Sequence, residues 1–287
     1  MVLSDTININ LMKKNPLVSV LVHTKNSSRT LLEHLKSIKD QSYQNVEIIV
    51  VDNSSTDKTV EIARMFTKNI YSYGPERSAQ RNFAAKKATG DYYFVPDSDM
   101  ILEKDVVKDC IEVITKNSNI KAVVIGEKSI GKGFWAMCKA LERSCYVGDA
   151  DIEAARFFEK NAYWEMGGYD EKLTGPEDWD LPQRIKKRYQ IERIKSFIIH
   201  DEGKLSLYDL LWKKYYYGKC LSSYLKKHSI RTTGRQVIYF LRPAFYRNWK
   251  KLLKNPQLTC GMIVMLGMEQ VVGFSGFMIG QLASFKK

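Results

Sequence analysis

Little in this chain suggests a covalently stapled or metal-stapled fold. Its five cysteines, Cys110, Cys138, Cys145, Cys220 and Cys260, form no C-x-x-C pair and show no zinc-type His/Cys spacing. That argues against a disulfide framework and a structural zinc site, and suits a reducing compartment. Prolines number only seven in 287 residues and 44% of residues are hydrophobic, which excludes a disordered chain and allows one substantial core, or a core plus an appendage. The opening MVLSDTININLMKKNP has no apolar run behind a basic start, so no secretory signal is expected and the bulk of the chain is expected in the cytosol.

Acidic residues are scarce in one region. From Arg184 to Lys254, 19 Lys and Arg face four acids, Glu192, Asp201, Glu202 and Asp209, so a net charge of +13 is concentrated there. A basic, aromatic-rich stretch suits nucleic acid. This one, however, leads into Leu258–Phe285, whose only charge is Glu269. A basic belt followed by an apolar segment points to a membrane surface, with no nucleic-acid partner expected. At 28 residues, about 42 Å as a helix, the segment exceeds the roughly 20 residues a span needs. Glu269 and five glycines count against a simple span. A helical hairpin packed on the protein or dipping into one leaflet, with Glu269 near its turn, is one alternative and a soluble core helix another. Gly276 and Gly280 form a G-x-x-x-G that permits close helix packing.

What is abundant in the first two hundred residues is strand and helix in alternation. LVSVLV (17–22), VEIIVVD (46–52), DYYFVPD (91–97) and IKAVVIG (120–126) are short, apolar and without alternation, as strands buried on both faces are. Helix-period stretches at 30–40, 58–67, 78–89 and 104–116 separate them. The expected fold is α/β with a mostly parallel, Rossmann-like sheet. Ligands bind such sheets outside the carboxyl ends of the strands.

Those ends carry polar groups. Thr24 and Asn26 follow the first strand, and Asp52 ends the second, placed either to accept from a nucleobase imide edge or to hold loop amides. Asp97 and Asp99 end the third, for a ligand or as a cap for the next helix. Arg77 and Arg81, four apart on one helical face, suit a diphosphate, a neighbouring carboxylate or plain solvation. Glu177, Asp178 and Asp180 open a helix, where acids also simply complement the dipole. Such crowding of like charge should raise at least one pKa. His200 ends a strand-like run, as a metal or phosphate ligand or as a satisfied loop histidine.

Four segments in order, VSVLVHTKNSSRTLLEHLKSIKDQSYQNVEIIVVDNSSTDKT, RSAQRNFAAKKATGDYYFVPDSDM, NAYWEMGGYDE and GPEDWDLPQRI, resemble the family 2 glycosyltransferases of GT-A fold over about residues 16–200. The resemblance implies inverting transfer of a hexose, mannose among the candidates, from a nucleotide-diphosphate sugar with a divalent metal. It implies that Asp52 contacts the base, that Asp97 and Asp99 form the D-x-D element, and that Asp178, or its neighbour Glu177, is the base. HTKN departs from the family's usual Pro-Thr-Tyr-Asn, keeping Thr24 and Asn26. The Q-x-x-R-W of processive synthases is absent, so transfer of a single sugar is expected. The basic tail and apolar end resemble members that use polyprenyl-phosphate or lipid-linked acceptors on the cytoplasmic face.

The chemistry agrees with the resemblance. Breaking a glycosyl–diphosphate bond loads charge onto phosphate, and Mg²⁺ or Mn²⁺, held by hard oxygen ligands at Asp97 and Asp99 with His200 nearby, suits that task. Expected divisions are a tail at 1–15, the catalytic domain at 16–203, a basic interfacial helical region at 204–257 and an apolar membrane-associated segment at 258–287. A nucleotidyltransferase would share the aspartates but want a glycine-rich phosphate loop, which HTKNSS lacks. A basic adaptor for anionic lipid or nucleic acid is the reading outside enzymes.

Overall fold

The computed structural model describes residues 15–228 and 230–285. Nearly all of the expected tail at 1–15 lies outside them. Eight strands, β1 (Val18–Thr24), β2 (Val46–Asp52), β3 (Ile70–Ser72), β4 (Tyr92–Phe94), β5 (Met100–Leu102), β6 (Ile120–Lys132), β7 (Ala155–Glu159) and β8 (Gln190–Lys204), form one sheet in the order β3-β2-β1-β4-β7-β6-β8-β5. The expected parallel arrangement holds for β3, β2, β1 and β4 and for β6 with β8, while β7 and β5 run antiparallel to their neighbours.

Both faces of the sheet are covered, so the strands read as continuous apolar runs. Val18, Val20 and Val22 face one core with α1 (Leu31–Lys39), α2 (Thr59–Arg64) and α4 (Val106–Ile114). Leu21, Ile49, Val51 and Tyr93 face the other with α3 (Arg77–Lys87), α6 (Lys160–Glu165) and α7 (Glu177–Lys186).

Register assembles the site. β1 pairs with β2 from Val18↔Val46 to Thr24↔Asp52, which puts those two polar ends side by side. Just beyond β4 the chain bridges back at His23↔Asp97. β5 against β8 pairs Met100 with His200, which brings Asp99 to the histidine.

The rest is helical: α5 (Phe134–Tyr146) before β7, then α8 (Leu207–Gly218), α9 (Leu221–Lys227), α10 (Ile230–Val237), α11 (Pro243–Arg247), α12 (Trp249–Leu253) and α13 (Pro256–Phe285). The hairpin alternative for the apolar segment does not form, because α13 is one continuous helix. Its inward face explains why. Met262, Met265 and Leu266 are buried against α5 and α8, and Glu269, 1% exposed, accepts from Lys139 Nζ at 2.9 Å and Tyr239 OH at 2.8 Å. A mid-helix charge with such partners has no need of a turn. Further along, glycines let α13 touch α8 backbone to backbone: a Cβ at Gly276 would lie 2.2 Å from the Tyr215 carbonyl oxygen and one at Gly280 2.3 Å from that of Lys219. The G-x-x-x-G thus packs within the chain. The opposite face, Val264, Met268, Val271, Phe274, Met278 and Leu282, is exposed and apolar at helical spacing.

Candidate active site

Two cavities meet over the carboxyl ends of the central strands. The first, about 620 Å³, is walled by Thr24, Asn26, Asn53, Gln80 and Asp99 and roofed by Trp212 and Tyr216 of α8. The second, about 340 Å³, holds Asp97, Asp178, His200 and Trp179 and runs back to Glu269. Arg77, Lys213 and Tyr217 line both.

At the first cavity Asp52 is only 4% exposed. It accepts from Thr24 Oγ1 at 2.7 Å and from the Ser55 hydroxyl and amide at 2.6 and 2.8 Å. These bonds build the loop that forms the floor, so Asp52 lies beneath the cavity rather than in its wall. Asn26 holds the facing loop: its backbone is left-handed at φ 49° and its Oδ1 accepts from the Thr56 amide at 2.9 Å.

Arg81 lies behind the second cavity and ties two of its carboxylates together. It is fully buried and donates to Asp178 Oδ1 and to Asp97 Oδ1, each at 2.7 Å, with its guanidinium over the Tyr169 ring. Asp97 is gripped from its other oxygen by Arg156 at 3.1 Å and has His23 Nε2 at 3.3 Å. Arg156 in turn donates to Glu127 at 2.8 Å. Burial alone would raise the Asp97 pKa; Arg156, the His23 bond and Arg81 hold it well below the usual carboxylate range.

Asp178 and Glu177 separate clearly. Asp178 keeps a fifth of its side chain exposed, and Arg81 and Arg156 overcome burial to lower its pKa. Glu177 has no exposure and accepts from Arg77 Nε and from the Gly175 amide, while burial raises its pKa. The expected rise in one carboxyl therefore falls on Glu177, by desolvation first. Arg77 also donates to Tyr217 OH at 3.1 Å.

The metal question turns on which oxygens are free. Asp99 Oδ1 is buried without a hydrogen-bond partner among the described residues, while Oδ2 lies 3.2 Å from His200 Nε2. A carboxylate oxygen and an imidazole fit Mg²⁺ or Mn²⁺, with substrate phosphate and water completing the shell. Asp97 does not fit in the same way, because both its oxygens are occupied by arginines and His23. Among the described residues no three His, Cys, Asp or Glu side chains converge as a metal cage. Burial and Arg143 oppose protonation of His200, but its bonds to Asp99 and Glu127 prevail and raise its pKa to about 9. It would have to release a proton to bind metal.

Sequence reasoning marked His23 only as part of the departure at HTKN and gave it no role, and it missed Glu127, Arg143 and Arg156, single residues with no motif around them. It also missed the roof. The S-x-x-D start of α8, where Ser206 Oγ caps the Asp209 amide at 3.1 Å, was the available signal for a helix carrying Trp212, Lys213, Tyr216 and Tyr217 as a group.

A nucleotide-sized cavity over β1 and β2, with carboxylates just past β4, defines a GT-A type nucleotide-sugar domain. The chain belongs to glycosyl transferase family 2, whose model matches residues 19–173, more than half of it. That match stops short of Glu177, Asp178 and His200. Among relatives, the putative glycosyltransferase EpsE of Bacillus subtilis is 38% identical over 108 residues, covering 33% of this chain and 39% of that protein. The chain spans from 27% to 44% of the length of such curated relatives. Among solved structures, the mannosyltransferase PcManGT of Pyrobaculum calidifontis, in complex with GDP-Man and Mn²⁺, shares the fold at TM-score 0.60 and 16% identity, over 94% of this chain and 86% of that one. Residues 1–349 of TarS of Staphylococcus aureus, in complex with UDP-GlcNAc, share it at TM-score 0.50 and 18% identity, over 94% and 92%.

Proposed function

We propose that this chain transfers a single hexose from a UDP- or GDP-sugar, with inversion, to the hydroxyl of a lipid-linked or polyprenyl-phosphate acceptor at the cytoplasmic face of a membrane. The observation that carries the reading is the junction of the two cavities, with Asp99 in one and Asp178 in the other. The donor occupies the first cavity, its base over the loop organised by Asp52, Thr24 and Asn26. The acceptor enters the second, on the side of Asp178.

Asp178 is ionised at neutral pH and ready to take the acceptor's proton. Its lowered pKa makes it a weak base toward a free alcohol, so transfer comes late, when the oxygen is already bonding to the anomeric carbon and has become acidic. Arg81 aims this carboxylate, and Asp97 and Arg156 hold Arg81. Glu177 holds Arg77 at the junction. Asp99 and His200 would hold Mg²⁺ or Mn²⁺, which supplies Lewis-acid stabilisation of the departing diphosphate.

The membrane part of the reading is supported by the outward apolar stripe of α13, 30 residues long, beside exposed Tyr246, Trp249 and Leu253 and the basic residues of α8 to α12. α13 then lies along the bilayer surface, packed on the protein by its inner face.

A thermal-shift panel of UDP- and GDP-sugars with Mn²⁺ tests donor class, because ligands of the native state stabilise it by mass action. One of the two series is expected to raise the melting temperature, with hydrolysis of that sugar lost on chelation. No shift with either would overturn the donor assignment. Flotation with anionic vesicles, weakened by salt, tests the surface; a protein that never floats would sink that part.

A further inference from the structure

Lys213 stands where the two cavities join; among the described residues no acid pairs directly with its ammonium, whose charge reaches Asp99 only at longer range and helps to lower that carboxyl's pKa. Of the three side chains lining both cavities, Arg77 is engaged by Glu177 and Tyr217. Among the described residues Lys213 forms no ion pair; its contact is the face of the Tyr217 ring, 5.8 Å from Nζ. The other cations nearby are neutralised: Arg81 by Asp97 and Asp178, Arg156 by Asp97 and Glu127, Arg143 by Glu127 and Glu202. Lys25 also lacks an acid, but it lines the first cavity alone.

Position matters here because of what the junction must contain. With the donor in one cavity and the acceptor in the other, the bond that breaks lies between them. On transfer, the anomeric C1–O bond to the terminal phosphate breaks and its electron pair stays on the phosphate oxygen. The acceptor oxygen bonds to C1, and its proton passes to Asp178. The diphosphate therefore gains a negative charge at the junction, where the Lys213 ammonium stands outside any ion pair among the described residues.

We infer that Lys213 is the leaving-group cation, its ammonium donating to the terminal phosphate of the nucleoside diphosphate. An unpaired ammonium carries three donors and a full charge, and its attraction grows as the phosphate's charge does. The placement also gives α8 a role. It is the roof of the donor cavity, and Gly218, Gly273 and Gly276 fix it against α13, since a Cβ at Gly218 would lie 2.3 Å from the Gly273 carbonyl oxygen. The helix carrying the phosphate's cation is thereby tied to the helix with the apolar outer stripe.

This inference rests on the nucleotide-sugar reading, and calorimetry separates the two. The probes are UDP and GDP against UMP and GMP, titrated into the full chain and into Lys213→Met and Lys213→Arg. Lys213 is exposed, so both variants are expected to melt like the parent. Lys213→Met is expected to weaken the diphosphate that binds by about 10- to 100-fold, the size of a charge-assisted bond. It should leave the matching monophosphate unchanged, and Lys213→Arg should recover most of the loss. A parent that binds neither diphosphate fails the nucleotide-sugar reading itself. A parent that binds while Lys213→Met binds as tightly, or loses monophosphate in equal measure, overturns the assignment of Lys213.

Discussion

Two clusters of buried charge use the same pairs of ions for different ends. The cluster at the sheet mouth links Asp178, Arg81, Asp97, Arg156 and Glu127, and each arginine bridges carboxylates on different elements. Asp97 and Asp178 there keep about a fifth of their side chains exposed, at 20% and 21%, so the network ends in a cavity. The cluster beneath α13 links Glu269, Lys139 and Glu142, with Lys139 Nζ at 2.9 and 2.7 Å from the two acids and Tyr146 OH donating to Glu142 at 2.8 Å. Its carboxylates are 5% exposed or less. Burying ions is costly unless geometry and hydrogen bonds repay it, and removing one partner strands the other. The first cluster aims groups at the junction of the cavities; the second, at the far end of the same second cavity, anchors a helix.

If that contrast is right, mutations should split by readout. The largest expected effect is on transfer. Asp178→Asn keeps the side chain's volume and a contact to Arg81 but cannot take a proton, so transfer should fall by about 10² or more. Binding of nucleotide sugar and the melting temperature should change little. Glu177→Gln should keep more activity, since Glu177 acts through Arg77. Near-normal transfer by Asp178→Asn in a discontinuous assay, with loss in Glu177→Gln, would move the base to Glu177.

Glu269→Gln should do the reverse. It leaves Lys214 without its acid at 3.7 Å and halves the partners of Lys139, at a cost of about 3 kcal/mol in stability. Nucleotide affinity should hold, because Glu269 does not line the donor cavity. Chemical denaturation reads the first and calorimetry the second; unaltered stability would mean the charge is not what anchors α13.

The same contrast marks how far the sequence can be read. β1 and β2 were legible because strands buried on both faces leave unbroken apolar runs, and the polar residues that end them sit at the sheet mouth whatever lies elsewhere. β3, β5 and β7, three to five residues long, leave no such run. Asp97 and Asp99 were visible as a pair, yet their separate fates were not: Arg156 and His200 reach them by sheet register, from 59 and 101 positions away. Glu269 read as an obstacle to a straight apolar helix because its partner Lys139 is 130 residues earlier. Local pattern reveals elements, and long-range ion pairing decides what their charged residues do.

The smallest expected effect concerns a buried group whose charged form is disfavoured by burial. His34, on α1, is fully buried; its Nδ1–H donates to the Met100 carbonyl, and its Nε2 has no hydrogen-bond partner among the described residues. Burial, the first cause, lowers its pKa below the ordinary 6.5. The unfolded chain therefore binds a proton more readily than the folded one just below pH 6.5. Stability from this group is present above that pH and is lost as pH falls from about 6.5 toward the folded value. His23, also lowered, acts in the same window, whereas His200, raised to about 9, weakens stability only as pH climbs above 6.5. His34→Asn keeps an N–H for Met100 and cannot titrate. Between pH 7 and 5 its unfolding free energy should decline less steeply than the parent's, by up to about 1.4 kcal/mol per pH unit for one proton. Equal slopes in urea titrations at pH 7, 6 and 5 would show that His34 takes up its proton without unfolding, and that a buried site at the sheet mouth tolerates charge without a partner.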